Sequence, residues 1–266
     1  MPRMDPARPR LSVVLITRDE EPRIGSTLDS VAFADERIVL DHGSRDRTCE
    51  IAAARGAQVH RTDTWPGFGP QKNRAIALAT GDWILALDAD EQVSPALAEE
   101  IQSAIQTPRA DVYALPRLSR FCGRYMLHSG WWPDRVPRLF RRGKARYSDD
   151  QVHERLVFEG AVARLHAPLL HDTHRSIEHA LQKMNRYTSL GADEAWARGK
   201  RSGIIRAVVR AAWSFLRTYV FRRGFLDGRE GLLLAIMVAE NTLYKHAKLA
   251  EHGRTGDAPP PDVRDR

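Results

Sequence analysis

Short apolar segments alternate with segments of helical periodicity in the first third of the chain. Leu11–Ile16 is an apolar, β-branched run, so we predict a strand there. Further strands are predicted, with helical segments between them, at Ile38–Leu40, Gln58–His60 and Trp83–Leu87. Connections this short between strands predict right-handed βα crossovers. The predicted fold class is therefore α/β, with a mainly parallel sheet and helices on both faces.

The pattern changes after the fourth strand. Ser94-Pro95 suits a helix start, and a helix is predicted from there until Pro108. Residues 111–170 are less regular, and we expect them to form the acceptor half of a site. Helical periodicity returns at Ile177. The predicted organisation is a disordered N-terminus at 1–10, an α/β domain at 11–176, a helical segment at 177–252 and a disordered tail at 253–266.

The residues that follow the fourth strand are acidic, and ligands of such sheets bind beyond the carboxyl ends of the strands. Asp88 and Asp90 flank one alanine there. Carboxylates are the hard oxygen ligands that suit Mg²⁺ or Mn²⁺, and a metal bridging a diphosphate neutralises the charge on a leaving nucleotide. An acidic turn before a helix has the same sequence, because Asp-x-Asp alone is a weak signal. The position at a strand end favours the metal site.

Two more acidic loops follow the first and second strands. Asp41 begins the loop DHGSRDR, where its carboxylate can accept a hydrogen bond from a base N–H and Gly43 lets the chain turn close to a ligand. Asp46 in the same loop is either a ligand contact or the N-cap of the next helix. TRDEE contributes Asp19 and Glu20, which alternatively complement a helix N-terminus. Three acidic loops at one edge favour a ligand site.

These motifs resemble a known family. TRDEE after the first strand, LDHGSRD after the second, QKNRA before the fourth and LDADE after it resemble the family 2 glycosyltransferases of GT-A fold. The resemblance implies that Asp41 contacts the nucleotide base, and that Asp88 and Asp90 hold the metal on the diphosphate. It also implies that Lys72 and Asn73 lie near the donor phosphate or sugar.

Three later segments narrow the resemblance. MLHSGWWPDRVPRLFRR, YSDDQVHE and RGFLDGREGLLLA are similar to the lipopolysaccharide core β-1,4-glucosyltransferase subgroup, and the likeness runs roughly from Leu11 to Leu249. The subgroup implies inverting transfer from UDP-glucose to an inner-core heptose. The chain departs from the family pattern at His42, where Ser is common, and at Asp19, where Asn is usual. Neither change removes a carboxylate.

An inverting transfer needs a base that takes the proton of the acceptor hydroxyl. The motif DDQVHE offers Glu154, which we predict, because the family's His-Glu pair lies where the acceptor meets the donor sugar. Asp150 is the second candidate, and the alternative for His153-Glu154 is a surface pair that ends a strand. Arg138 belongs to a basic run and is predicted to bind donor phosphate through its guanidinium fork. The alternative for that run is a solvated face.

Charge adds an expectation about partners. The net charge is +7, and Arg201–Phe225 holds six arginines and no acid. On a helix, Arg206, Arg210 and Arg217 share one sector beside apolar positions. A basic amphipathic helix is typical of an interfacial membrane element that binds an anionic membrane surface. A helix packed on the sheet or in a dimer is the alternative.

Composition limits the location. The two cysteines, Cys49 and Cys122, form neither a disulfide pattern nor a zinc motif. The first ten residues lack an apolar stretch, so no secretory signal is predicted. The longest apolar run, Leu232–Ala239, is shorter than the ~20 residues of a spanning helix. We therefore expect a cytoplasmic protein, peripheral on the inner face of the cytoplasmic membrane.

Two other functions compete with glycosyl transfer to a lipopolysaccharide or other glycolipid acceptor. A sugar-phosphate nucleotidyltransferase would carry a Gly-rich loop after the first strand, whereas TRDEEPRIG is acidic. A nucleic-acid or other anionic-polymer binder would fit the basic composition. It does not explain three acidic loops where a polyanion would have to lie, so no nucleic-acid partner is expected.

Overall fold

The chain forms two compact units, described by a computed structural model at residues 8–149, 154–173 and 176–255. The sheet unit comprises Met1–Leu118 and Asp134–His171, and the helical unit comprises Ser119–Pro133 and Asp172–Arg266. The sequence pattern assigned residues 119–133 to the α/β domain. In the structure their contacts group them with the C-terminal helices.

The sheet unit begins with four parallel strands in the order β3-β2-β1-β4. Their bounds are Leu11–Thr17 (β1), Glu36–Asp41 (β2), Gln58–Arg61 (β3) and Trp83–Asp88 (β4). Thr17 pairs with Asp41 in this sheet, and Ile16 pairs with Asp88. The carboxyl ends of β1, β2 and β4 thus share one edge, and the four predicted strands are confirmed.

Residues 111–170, expected to be irregular, supply further strands. They are Val112–Phe121 (β6), Arg124–Tyr125 (β7), Asp134–Arg141 (β8), Ala145–Tyr147 (β9), Leu156–Phe158 (β10), Val162–Arg164 (β11) and Leu169–Asp172 (β12), after Glu91–Val93 (β5). β8 lies antiparallel between β4 and β6, which extends the sheet beyond its parallel half. β9 and β10 form a separate antiparallel pair. The sheet is therefore mixed, with parallel strands β1 to β4 and mainly antiparallel strands beyond β4.

Alternate residues of β1 face two different apolar layers, as expected for a strand covered on both sides. Leu11, Val13 and Leu15 pack in the layer that contains residues of Glu21–Ser30 (α1), Thr48–Ala54 (α2) and Pro95–Gln106 (α4). Val14 packs in the layer that contains Phe68–Ala77 (α3) and the β9–β10 pair. The predicted α/β class with helices on both faces is confirmed.

The helical unit contains Ile177–Ala197 (α5), Ile204–Leu216 (α6) and Gly228–Thr255 (α7), so the C-terminal helical segment is also confirmed. A π-helical turn at Arg217–Phe221 and a 3₁₀ turn at Gly224–Asp227 join α6 to α7. Among the described residues, no helix is both long enough and apolar enough to cross a membrane.

A buried carboxylate joins two of the subgroup-like segments within this unit. Asp227, 1% exposed, accepts hydrogen bonds from the backbone N–H groups of Leu127 and His128 at 3.2 and 3.1 Å and from the Ser129 hydroxyl at 3.0 Å. The β-carbon of an alanine at Gly231 would lie 1.9 Å from the Gly224 carbonyl oxygen. The segments HSG and RGFLDGREG therefore form one packed substructure.

Candidate active site

Asp88 ends β4 between two cations. Lys72 Nζ of α3 lies 2.8 Å from Asp88 Oδ1, and Arg138 of β8 donates to Oδ2. Burial alone would raise the pKa of Asp88, but the charges of Arg138 and Lys72 hold that pKa well below its ordinary value. The carboxylate is therefore ionised at neutral pH.

Lys72 also contacts the predicted base. Its ammonium lies 3.0 Å from Glu154 Oε1, so one lysine holds Asp88 and Glu154 together. Its side chain is 8% exposed; burial opposes its charge, but Asp88 raises the pKa of Lys72 above its ordinary value. α3 approaches this closely because residue 69 is glycine, whose added β-carbon would lie 1.9 Å from the Ser148 carbonyl oxygen. The structure thus brings Lys72, Asp88 and Glu154 together.

Asp90 has partners that the sequence did not indicate. Arg23 Nη1 of α1 lies 3.6 Å from Asp90 Oδ2, and His171 Nε2 of β12 lies 3.5 Å from the same oxygen. Burial acts to raise the pKa of Asp90, whereas the hydrogen bond and charge of His171, with Arg23, lower it below its ordinary value. Asp90 is therefore a second ionised carboxylate two residues beyond Asp88. Arg23 and His171 lie far from Asp90 in sequence, so the sequence pattern could not indicate these contacts.

Glu91 is a buried carboxylate that links the end of β4 to two arginines. Its side chain is fully buried, and it accepts hydrogen bonds from the Asp88 backbone N–H at 3.0 Å and from Arg138 at 2.7 Å. Arg117 lies 3.4 Å from the same carboxylate. Glu91 begins β5, and its hydrogen bond from the Asp88 N–H fixes the end of β4. A carboxylate buried without such donors would be strongly unfavourable.

Arg138 is predicted to bind donor phosphate, but only 5% of this residue is exposed to solvent. Its guanidinium bridges Asp88 and Glu91 and donates to the Tyr147 hydroxyl at 3.2 Å. These contacts make it a positioning residue for the Asp88 carboxylate. Its predicted contact with donor phosphate stays a prediction.

The donor chemistry of the two aspartates fits a divalent cation. Among the described residues, no group of three His, Cys, Asp or Glu side chains is arranged to hold a metal. Mg²⁺ commonly uses one or two carboxylates and takes its remaining ligands from water and substrate phosphate. Asp88 and Asp90 are both ionised oxygen donors at one strand end, and Asp88 is partly exposed. Two ionised oxygen donors of this kind fit a divalent cation that takes its other ligands from outside the protein.

Asp41, expected to contact a base, is 1% exposed. Ser44 donates to both of its oxygens, through its backbone N–H at 3.0 Å and through its hydroxyl, and the Thr17 hydroxyl adds a bond at 3.3 Å. In this structure Asp41 shapes its own loop. Contact with a base would require it to exchange one of the bonds from Ser44.

Hydrogen bonds connect the first and second acidic loops, and they involve Asp19, Glu20 and Asp46. Backbone N–H groups of one loop donate to side chains of the other at 2.8 to 3.0 Å. The pairs are Asp19 N–H to Ser44, Glu20 N–H to Thr48, Glu21 N–H to Asp46 and Arg45 N–H to Asp19. Asp46 also accepts from the Thr48 N–H at 3.0 Å, but the N-cap of α2 is Arg47, so Asp46 lies one residue before the predicted cap position.

Asn73 occupies a structural position. Its amide donates to the Tyr147 carbonyl at 2.9 Å and accepts from the Tyr147 N–H at 2.8 Å, as a neighbouring strand would. These bonds fix the amide against β9, and the expected contact with the donor stays a prediction. Asp150 and His153, named in the sequence as possible partners in catalysis, lie outside the described residues.

The fold is a mixed α/β sheet in which acidic groups lie at the ends of parallel strands, beside a lysine and a second carboxylate. The chain belongs to glycosyl transferase family 2, whose sequence model matches residues 12–164. This membership decides against the nucleotidyltransferase and the nucleic-acid binder.

Relatives and solved structures are similar over different shares of the chain. The lipopolysaccharide core biosynthesis glycosyltransferase LpsC of Rhizobium meliloti is 30% identical, over 89% of this chain and 93% of its own. An uncharacterized glycosyltransferase of Rickettsia typhi is 30% identical, over 91% of this chain and 87% of its own. A crystal structure of glucosyl-3-phosphoglycerate synthase from Mycobacterium tuberculosis matches 43% of this chain and 45% of its own at 30% identity, with a TM-score of 0.37.

Proposed function

We propose that this glycosyltransferase is an inverting, metal-dependent enzyme that transfers a sugar from a nucleotide-sugar to a glycolipid acceptor at a membrane surface. The observation that carries the proposal is the pair of contacts made by Lys72, at 2.8 Å to Asp88 and 3.0 Å to Glu154. Single displacement needs positive charge at the leaving diphosphate and a base at the incoming hydroxyl. Lys72, with a metal held by Asp88, would supply the positive charge, and Glu154 beside the same lysine would supply the base.

Asp88 and Asp90 are the proposed holders of Mg²⁺ or Mn²⁺. When bound, the cation neutralises charge on the leaving diphosphate. The protein's own contribution is to keep both carboxylates ionised, through Lys72 and Arg138 at Asp88 and through His171 and Arg23 at Asp90. Lys72 adds a fixed positive charge beside the same group, which favours a leaving anion.

Glu154 is the proposed base. It accepts the proton of the acceptor hydroxyl while that oxygen bonds to the anomeric carbon and the bond to the diphosphate breaks. One displacement at that carbon inverts its configuration. Asp150, which lies outside the described residues, remains the second choice.

Asp41 remains the proposed contact for the nucleotide base, after exchange of a bond with Ser44. The tied loops of Asp19, Glu20 and Asp46 are proposed to form the wall of the same subsite. UDP-glucose as donor and a lipopolysaccharide inner-core heptose as acceptor follow from the sequence resemblance, and the similarity to LpsC supports the acceptor class.

We propose that α6 docks the enzyme on the anionic inner face of the cytoplasmic membrane. Ile205, Val209 and Trp213 are 80%, 63% and 55% exposed, so the helix presents an apolar ridge to solvent. Arg206 and Arg210 flank this ridge, and the segment to Phe225 contains no acid. An apolar ridge edged by cations matches an interface that buries side chains among acyl chains and attracts anionic headgroups.

The test of the transferase is a nucleotide-release assay with a panel of nucleotide-sugars and truncated lipopolysaccharide cores, with and without EDTA. We expect UDP release from UDP-glucose that requires both acceptor and divalent cation. The variant Asp88→Asn should abolish release, whereas Glu99→Gln, which removes an exposed charge on α4, should not. Full release by Asp88→Asn would contradict the proposal.

Vesicle flotation tests the docking surface separately. Ile205→Ser with Val209→Ser should lose retention on anionic vesicles and keep the melting temperature, because both side chains are already exposed. Leu181→Ser with Leu190→Ser on α5, at 43% and 40% exposure, is the matched control. Equal loss in both pairs, or no retention of the wild type, would remove α6 from this role.

A further inference from the structure

The helical unit contains a cavity of about 520 Å³ with a strongly positive lining. Its charged lining residues are Lys200, Arg201, Arg206, Arg210 and Lys245, joined by His246. One turn and two helices supply them: the turn after α5 gives the first two, α6 gives the arginine pair, and α7 gives Lys245 and His246. Residues distant in sequence thus bring five cations to one cavity.

No described carboxylate balances this charge. None of the described residues that line the cavity is acidic, and none of its five cations forms an ion pair with a described carboxylate. At the catalytic site, by contrast, Lys72 and Arg138 both contact carboxylates. Burial, followed by the charges of Arg210, Lys245 and Arg206, lowers the pKa of His246 below its ordinary value. Arg206 and Arg210 are four residues apart on α6, and like charges at that helical spacing are destabilising.

The local packing holds part of this lining in place. The Lys245 side chain crosses α5 at Gly191, where a β-carbon would lie 3.1 Å from Lys245 Nζ. The Arg201 guanidinium stacks 3.4 Å from the centre of the buried Trp196 ring. Arg206 and Arg210 lie one turn apart on α6. Gly191 and Trp196 thus contact two of the cations. Four of the five cations, all except Lys245, are exposed and open to an anion from solvent.

We propose that this cavity binds a phosphate group carried by a membrane lipid. Guanidinium forks and ammonium groups are the donors that bind phosphate oxygens most strongly. Lipid is the favoured source because Arg206 and Arg210 lie beside the exposed ridge of Ile205 and Val209 on the same helix. A headgroup in the cavity would leave that ridge at the acyl boundary, so the cavity supplies recognition in addition to nonspecific attraction.

The first experiment titrates inorganic phosphate into the full chain by calorimetry. Arg210→Gln with Lys245→Gln should weaken phosphate binding by about tenfold or more, because two charge-assisted contacts are removed. Lys183→Gln with Arg186→Gln is the control, since both are exposed cations on α5 outside the cavity. No phosphate binding by the wild type, or an equal loss in both pairs, would overturn the proposal.

The second experiment separates the sources of phosphate. Vesicles of phosphatidylglycerol with phosphatidylcholine should retain the wild type and the control pair, release the cavity pair, and lose the wild type to added inorganic phosphate. Retention of the cavity pair despite its lost phosphate binding would assign the cavity to soluble phosphate compounds and overturn the lipid source. Neither experiment contains donor or acceptor, so failure here is distinct from failure of the proposed transferase activity.

Discussion

Lys72 Nζ lies 3.0 Å from Glu154 Oε1 while the same ammonium lies 2.8 Å from Asp88 Oδ1. The lysine comes from α3, Asp88 from the end of β4, and Glu154 from the chain just before β10. One buried cation therefore couples the group proposed for the metal to the group proposed as the base. A substitution at either carboxylate should therefore change the electrostatic environment of the other.

Glu154→Gln should lower kcat by about a hundredfold or more, because general base catalysis contributes on that order. The amide keeps the shape of the side chain, so donor affinity measured by calorimetry should stay unchanged. Glu159→Gln, an exposed neighbour in the same unit, is the matched control. A fully active Glu154→Gln enzyme would exclude this residue as the base.

Lys72→Met should destabilise the fold by about 3 kcal/mol, because it leaves two carboxylates without their shared cation. Asp88→Asn should cost less, since the lysine keeps Glu154. The double variant should be more stable than the sum of the single losses predicts, with a coupling of about 1 kcal/mol or more. Urea unfolding measures all three. Strictly additive losses would show that the 2.8 Å contact contributes nothing to stability.

Gly69→Ala should reduce both stability and turnover. The new β-carbon would lie 1.9 Å from the Ser148 carbonyl and 3.4 Å from Glu154 Cβ, so α3 must move away from the base. We expect a loss of about 2 kcal/mol from overpacking, although alanine favours the helix more than glycine does. Gly203→Ala is the control, with no atom within 4 Å of its added β-carbon. Unchanged melting and kcat in Gly69→Ala would contradict the close approach.

Removal of divalent cation by EDTA should abolish turnover, and added Mn²⁺ or Mg²⁺ should restore it. Asp90→Asn should need about tenfold more metal for half-maximal activity, because second ligands and their partners commonly affect metal affinity on that scale. Metal titration of the stripped enzyme gives the comparison, with Glu99→Gln as control. Full activity in EDTA would rule out metal dependence.

Glu36 predicts a dependence of stability on pH. Burial would raise the pKa of Glu36, but hydrogen bonds from Ser12 and Thr80 lower it below its ordinary value of 4.5. A carboxyl with a lower pKa when folded contributes stability above 4.5 and loses it as the pH falls toward the folded value.

Glu36→Gln should therefore be less stable than the wild type by about 1–3 kcal/mol near neutral pH, because buried hydrogen bonds to a charge are weakened. The difference should shrink in acid below the ordinary value of 4.5. Thermal melts of both proteins across this range test the sign. A gap that grows in acid would mean that Glu36 is not held ionised.

The sequence predicts β1 to β4 well because their apolar runs are short and contiguous, and the acidic residues at their ends follow from the same pattern. The antiparallel strands β6 and β8 escape prediction because Arg and Pro interrupt their apolar residues. Their pairing depends on partners that are far away in sequence. Local periodicity carries no information about such partners.

The candidate site also contains some residues that the sequence predicts and others that it does not. Asp88, Asp90, Lys72 and Glu154 are found from motifs, yet Arg23, Glu91 and His171 become visible only when the fold brings them to those carboxylates. The two hydrogen bonds of Asn73 with the Tyr147 backbone are likewise invisible in the motif, and its contact with the donor stays a prediction. The backbone conformation of Asp19 explains why Asp can stand where the family usually has Asn. Its φ of 53° is a left-handed conformation that Asn and Asp both tolerate better than most residues.

The ties between the Asp19 and Asp46 loops have a consequence for how the donor is captured. Reciprocal hydrogen bonds already hold both backbones, so nucleotide binding there needs little further ordering of either loop. Binding there should resemble entry into a preformed cleft, with fast association and little change in amide hydrogen exchange of either loop.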